Sequence, residues 1–126
     1  MRPRPLAYWI STAVFSLGMI TAGCIYVARP PALVALFGHL GYPRYFPFLL
    51  GPAKIVGAAV LVAPGLPRAK EWAYAGFAIT CVAGFVSHLA VGDGALTANG
   101  TGWGPTLALS AVLVVSYLAR PTDRRL

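Results

Sequence analysis

The chain has 126 residues, 58% of them hydrophobic and 10% charged, with a formal net charge of +7 and a mean hydropathy of +0.72. Soluble domains are about 45–50% apolar and about 25% charged, and a water-soluble chain this short could not hide so much apolar surface. The basic excess does not point to nucleic acid, because the charges fall between long apolar runs and form no basic stripe interleaved with aromatics.

Arg2 and Arg4 precede an apolar run over 6–28. At about 23 residues it exceeds a signal-peptide core of about 7–15, and it reaches Ala28-Arg29 with no small-residue cleavage pattern. It is expected as a retained spanning helix, since roughly 20 apolar residues cross a hydrocarbon core of about 30 Å. Pro30-Pro31 and Gly41-Tyr42-Pro43 then bracket a short apolar segment. Proline at a helix start and glycine after its end predict a short interfacial helix over 31–40.

A second span is expected over 45–62, containing Pro52 and Lys54, and a third over 72–91, containing His88. The loop over 92–102 is rich in Gly, Thr and Asn and carries an Asn99-Gly100-Thr101 sequon. A fourth span is expected over 103–118, with Pro105 in its first turn. Tyr8, Trp9, Tyr26, Trp72, Trp103 and Tyr117 fall near the ends of these runs, as an aromatic belt would. The fold class is therefore all-α, a single domain of four transmembrane helices with a short helix in the first outer loop. Arg2, Arg4, Arg68, Lys70, Arg120, Arg124 and Arg125 fall on one side and only Arg29 and Arg44 on the other. The positive-inside rule then places both termini in the cytoplasm of a multi-pass cell-membrane protein, as in a bacterial inner membrane.

Charge inside a bilayer is costly, at least ~2.5–3.5 kcal/mol for a central Lys, so Lys54 is weighed first. It lies about 12 Å into its helix at 1.5 Å per residue, among the small residues of Gly51-Pro52-Ala53-Lys54-Ile55-Val56-Gly57-Ala58. Pro52 frees the carbonyl of Phe48, which falls within reach of the Lys54 amine. Gly76, Thr80, Gly84 and His88 recur at i+4 and form one stripe on the third helix, with Asp93 just beyond. His39, Arg44, Lys54, His88 and Asp93 thus gather toward the outer leaflet. Candidate catalytic residues are Lys54, His88 and Asp93. Candidate ligand-binding residues are His39, Arg44, Lys54, Gly57, Thr80, Gly84 and His88.

The competing structural reading has Lys54 snorkelling outward to pair with Asp93 or a helix carbonyl, and His88 marking the interface. Cys24 and Cys81 form no CxxC pair and read as small buried apolar side chains. Glu71 reads as an N-terminal helix charge beside Lys70. No metal-ligand spacing, phosphate-cradling loop or nucleophile elbow is visible.

Five stretches carry a family likeness: Tyr8-Trp9-Ile10-Ser11-Thr12 through Gly23, Phe37-Gly38-His39-Leu40-Gly41-Tyr42-Pro43, Gly51 to Ala58, Pro67-Arg68-Ala69-Lys70-Glu71-Trp72-Ala73-Tyr74-Ala75-Gly76-Phe77, and Ser87-His88-Leu89-Ala90-Val91-Gly92-Asp93. In their order and spacing the chain resembles the DoxX-like membrane proteins. The resemblance implies a four-helix membrane fold. Its founding members accompany thiosulfate:quinone oxidoreduction, and others look like accessory or assembly proteins. Broader relatives often carry an acid where this chain has Lys54. With no flavin, haem or iron–sulfur motif, any redox role would use a quinone or a partner subunit.

Three functions follow as expectations. The first is a membrane protein that binds a lipophilic, quinone-like molecule near Lys54 or serves a partner membrane oxidoreductase. The second is a small membrane enzyme doing isomerase-like proton transfer through His88 and Lys54. The third is a ligand-free scaffold. The expected partners are the lipid bilayer, a lipophilic small molecule, and a partner membrane protein or second copy. Nucleic acid and metal are not expected, and a transporter ranks last because no inverted repeat is visible.

Overall fold

The computed structural model describes residues 3–96 and 102–121. It has five helices, and no strand among the described residues: α1 (Pro3–Ala28), α2 (Pro31–Leu40), α3 (Phe46–Val62), α4 (Pro67–Ala90) and α5 (Trp103–Leu118). The Asn99-Gly100-Thr101 triplet, Arg2, Arg124 and Arg125 lie outside the described residues, and of Arg4 only the backbone is described.

Proline sets three of the helix starts, where its missing N–H costs nothing. Pro31 opens α2, Pro47 sits in the first positions of α3, and Pro67 opens α4. The two left-handed non-glycine residues, Arg29 (φ +50°) and Leu66 (φ +56°), stand directly before Pro30 and Pro67. A residue before proline is disfavoured in the right-handed helical region, so neither can continue a helix into the proline. α4 therefore starts at Pro67 rather than 72, and Arg68, Lys70 and Glu71 belong to its opening turns instead of a loop.

α1 packs along α3 and α5, and α4 along the same two, so the four longer helices close a ring; α2 rests against α3. The tightest seam is between α1 and α3. A Cβ on Gly51 would lie 2.8 Å from the carbonyl oxygen of Gly23, and one on Gly23 would lie 2.7 Å from that of Gly51. Small residues at such a crossing let two backbones meet. Phe15, Met19, Ala58, Leu61, Tyr74, Phe77, Cys81 and Leu113 fill the ring, with Phe15 and Phe77 edge to face at 4.9 Å. Tyr8 is fully buried and so lies inside the protein, not in an aromatic belt.

Polar pairs lock the end where α3 stops and α4 starts. Thr12 Oγ1 and Ser116 Oγ are 2.6 Å apart, and Tyr74 Oη is 2.7 Å from Ser116 Oγ, joining α1, α4 and α5. Lys70 is completely buried and donates from Nζ to the carbonyls of Val60 (2.9 Å), Ala63 and Gly65 (2.7 Å). It thereby satisfies carbonyls at the end of α3 that have no helical partner, where a cation is favoured. Glu71 pairs with Arg120, whose guanidinium lies 3.8 Å from the Tyr117 ring centroid. Glu71 is thus half of an ion pair between α4 and the segment just after α5, rather than a helix-end charge beside Lys70.

Pro5–Ala28 and Pro67–Ala90, 24 residues each, are long and apolar enough to cross a membrane. α3 and α5 are apolar but shorter, at 17 and 16 residues. On length and composition, two of the four expected spans meet that requirement.

Gly51→Val should destabilise the protein by about 1–3 kcal/mol, because the added atoms meet rigid backbone. Gly18, whose Cβ would have nothing within 4 Å, should tolerate alanine with a gain of about 0.5–1 kcal/mol. Thermal midpoints of the two variants in one detergent should move in opposite directions.

Candidate functional site

The end of the ring nearest α2 is built by two helix terminations of the same kind. α2 stops at Gly41 (φ +88°), whose N–H bonds the carbonyl of Gly38, while the N–H of Tyr42 bonds that of Phe37 at 2.9 Å. α4 stops at Gly92 (φ +81°), whose N–H bonds the carbonyl of Leu89, while the N–H of Asp93 bonds that of His88 at 2.9 Å. This double bond pattern brings the residue after the glycine back over the residue five before it. In α2 the pair so matched is Tyr42 and Phe37, with ring centroids 5.8 Å apart. In α4 it is Asp93 and His88, and the usual apolar contact is replaced by a hydrogen bond. His88 Nδ1 donates to Asp93 Oδ2 at 2.6 Å.

The second carboxylate oxygen reaches across to α2. His39 donates from Nε2 to Asp93 Oδ1 at 2.8 Å. Tyr42 Oη and Ser87 Oγ make a second link from the α2 end to α4 at 2.7 Å. Asp93 therefore ties the short helix to the end of α4. The hydrogen bonds from His88 and then His39 hold its carboxyl below the usual carboxylate range, against a smaller opposing push from burial.

Beneath this tie lies a cavity of about 300 Å³ reached by all five helices. Its polar lining includes Lys54, Tyr26, Tyr42, Thr80, His88 and Thr106, and its apolar lining includes Met19, Phe37, Phe46, Phe77 and Leu109. Lys54 is buried. Its Nζ lies 3.6 Å from Met19 Sδ and 5.1 Å from the Tyr26 ring centroid. Neither contact neutralises an ammonium, and no carboxylate among the described residues pairs with it. The snorkelling reading placed Lys54 against Asp93 or a helix carbonyl; Asp93 is instead held by the two histidines. Because Nδ1 of His88 faces Asp93, Nε2 is the ring nitrogen left for the cavity.

The sequence-derived candidates divide accordingly. Lys54, Thr80, Gly84 and His88 line one cavity. Thr80 donates its hydroxyl to the carbonyl of Gly76, leaving oxygen lone pairs for another donor. His39 lies outside the lining and acts on Asp93. Gly57 lies against the Phe77 ring, where a Cβ would come within 2.8 Å, and lines a groove of about 420 Å³ between α3 and α4. That groove shares Leu50, Lys54, Phe77 and Thr80 with the cavity. Arg44 lines neither space; with Arg29, Ala28 and Val34 it borders a separate cleft. Cys81 is buried in the cavity wall, whereas Cys24, expected to be buried, is exposed. Among the described residues, no group of three His, Cys, Asp or Glu side chains is placed to hold a metal ion.

The sequence profile of the DoxX-like family matches residues 10–116. The chain belongs to this family. The match takes in every cavity residue of this DoxX-like protein, together with His39 and Asp93, and stops short of Arg120. No curated protein and no solved structure matches the chain.

Two contributors escaped the sequence reading. Position along the chain gives Tyr26 as an interface aromatic and gives Met19 no role. Their separation of two helical turns puts both on the face of α1 that meets Lys54, a signal available from periodicity.

The lowered native value of Asp93 fixes the sign of a pH effect. Its contribution to stability is complete above the usual carboxylate range and is lost as pH falls through that lowered value. Wild type should therefore lose more thermal stability than Asp93→Asn between about pH 5 and pH 2. Parallel melting curves across this range would exclude the tie.

Proposed function

We propose that this DoxX-like chain is a multi-pass membrane protein that holds a lipophilic small molecule, with its polar head beside Lys54. The carrying observation is that Lys54, buried and without a carboxylate partner, shares one cavity with His88. A buried cation not paired internally is costly unless something else completes it. A carbonyl, phenolate or carboxylate oxygen on a bound molecule would do so. A quinone-like ring suits the lining, since its oxygens can accept from Lys54 while its faces meet Tyr26, Phe37 and Phe77. The cavity stands at the small end of ligand sites, about 300–1,000 Å³. The connected α3–α4 groove offers an apolar continuation for a tail.

Four features support the membrane assignment. The long helices are apolar yet mostly unburied: only 33% and 22% of their most hydropathic windows lie inside the protein. Trp72 is 82% exposed, Ile79 70% and Leu17 66%. A soluble protein rarely presents so continuous an apolar surface. α3 and α5, at about 25 Å by their 1.5 Å rise, are short spans that a thinned bilayer accommodates at modest cost. Arg68, Lys70 and Arg120 at one end, against Arg29 and Arg44 at the other, support cytoplasmic termini by the positive-inside rule.

A second reading, proton transfer on the bound molecule, is favoured by one observation. Asp93 orients His88 as a base-supporting carboxylate would, and leaves Nε2 toward the cavity.

Native mass spectrometry of protein extracted in mild detergent tests the binding. Wild type should retain a lipophile, and Lys54→Met should lose at least about 90% of it, a tenfold change per 1.4 kcal/mol. Equal retention by a folded Lys54→Met would refute the site. Incubated in D2O, wild type but not His88→Ala should exchange deuterium into the bound molecule if proton transfer occurs. For topology, Leu96→Cys in a Cys24→Ser, Cys81→Ala background should react with an impermeant thiol reagent on intact cells. Arg68→Cys should react only after permeabilisation.

A further inference from the structure

On the flank of α2 away from the Lys54 cavity, Arg29 and Arg44 border a cleft of about 360 Å³ with Ala28 and Val34. Arg29 occupies the left-handed turn that ends α1, at φ +50°, and its guanidinium lies 5.2 Å from the Phe48 ring centroid. Arg44 sits in the turn between α2 and α3. Neither guanidinium has a carboxylate or hydrogen-bonding partner among the described residues.

Acid is scarce in this chain. Of three carboxylate side chains, Glu71 is paired with Arg120 and Asp93 with His88 and His39. The third, Asp123, is outside the described residues. Two like charges facing one concavity repel, and an arginine in a left-handed turn is itself an uncommon backbone state. The repulsion is offset by one ligand type, an oxyanion bridging the pair. The guanidinium fork matches phosphate oxygens two at a time. Stacking on Phe48 restricts the Arg29 fork in advance, which lowers the ordering cost of binding.

We infer that Arg29 and Arg44 form a phosphate-binding cleft, separate from the Lys54 cavity, that takes the phosphodiester of an anionic lipid or a free phosphate. It does not depend on what the cavity holds. A cleft at the end of the helices, open to solvent and bordered by Val34, suits a phosphate whose remaining atoms lie against apolar surface. Exposure makes the interaction salt-sensitive, with a screening length of about 8 Å at 0.15 M.

The probe is dioleoylphosphatidylglycerol added to detergent-solubilised protein, with dioleoylphosphatidylcholine and inorganic phosphate in parallel. Adducts counted by native mass spectrometry should favour the anionic lipid. Arg29→Gln and Arg44→Gln should each weaken them about tenfold, and Arg68→Gln, at the other end of the protein, should not. Phosphate binding with the same arginine dependence, but without lipid adducts, keeps the cleft and assigns it a soluble ligand. Phenylglyoxal labelling of wild type avoids any folding defect of the variants. Either ligand should slow modification of Arg29 and Arg44 relative to Arg68. Equal loss in all three variants, or no protection of the two arginines, overturns the inference.

Discussion

Backbone contact between Gly23 and Gly51 governs the geometry of everything above it. α1 and α3 run antiparallel, and side chains on a helix lean toward its own N-terminus. Three residues beyond each glycine stand Tyr26 and Lys54, so the two side chains lean toward each other across the seam. Their meeting places a lysine amine over an aromatic face. A wider seam would part them, and the cavity would lose its most distinctive wall.

The two ends of the helix ring then solve the same electrostatic problem differently. At one end, Lys70 and Arg120 are completed internally by carbonyls, Glu71 and aromatic faces. At the other, the single acid is divided between two histidines, and three cations are left without a carboxylate. Among the described residues, the cations that no carboxylate pairs with include Arg29, Arg44 and Lys54 on the α2 side and Arg68 at the opposite end. The difference between the two ends follows from where Glu71 and Asp93 fall.

Much of this was legible along the chain where the signal was local. Pro31 and Gly41 bracket α2 as their backbone preferences require, and the i+4 stripe correctly put Thr80, Gly84 and His88 on one face. The start of α4 was not legible, because Arg68 and Lys70 read as solvated loop, and Glu71 as a helix-end charge, when their partners are unknown. Lys70 answers carbonyls of the preceding helix, and Glu71 answers Arg120, 49 residues away. Thr12 and Ser116, separated by 104 residues, carry no mutual signal in a periodicity. The Asp93–His88 bond lay in between: the spacing His-x-x-x-Gly-Asp holds it, provided the glycine is recognised as a helix stop rather than as the beginning of a loop.

That helix stop also shields the site from the segment that follows. The carboxylate is positioned by backbone already committed at Gly92. Just beyond it the chain is pinned again, with Trp103 N–H bonding the carbonyl of Gly94 at 3.4 Å and Gly104 N–H that of Ala95 at 2.8 Å. These bonds close a neck behind which 96–102 connects two fixed points. Gly102 belongs to the neck itself: at φ +124° a Cβ there would lie 2.6 Å from the carbonyl oxygen of Gly94, next to Asp93, so this position keeps its glycine.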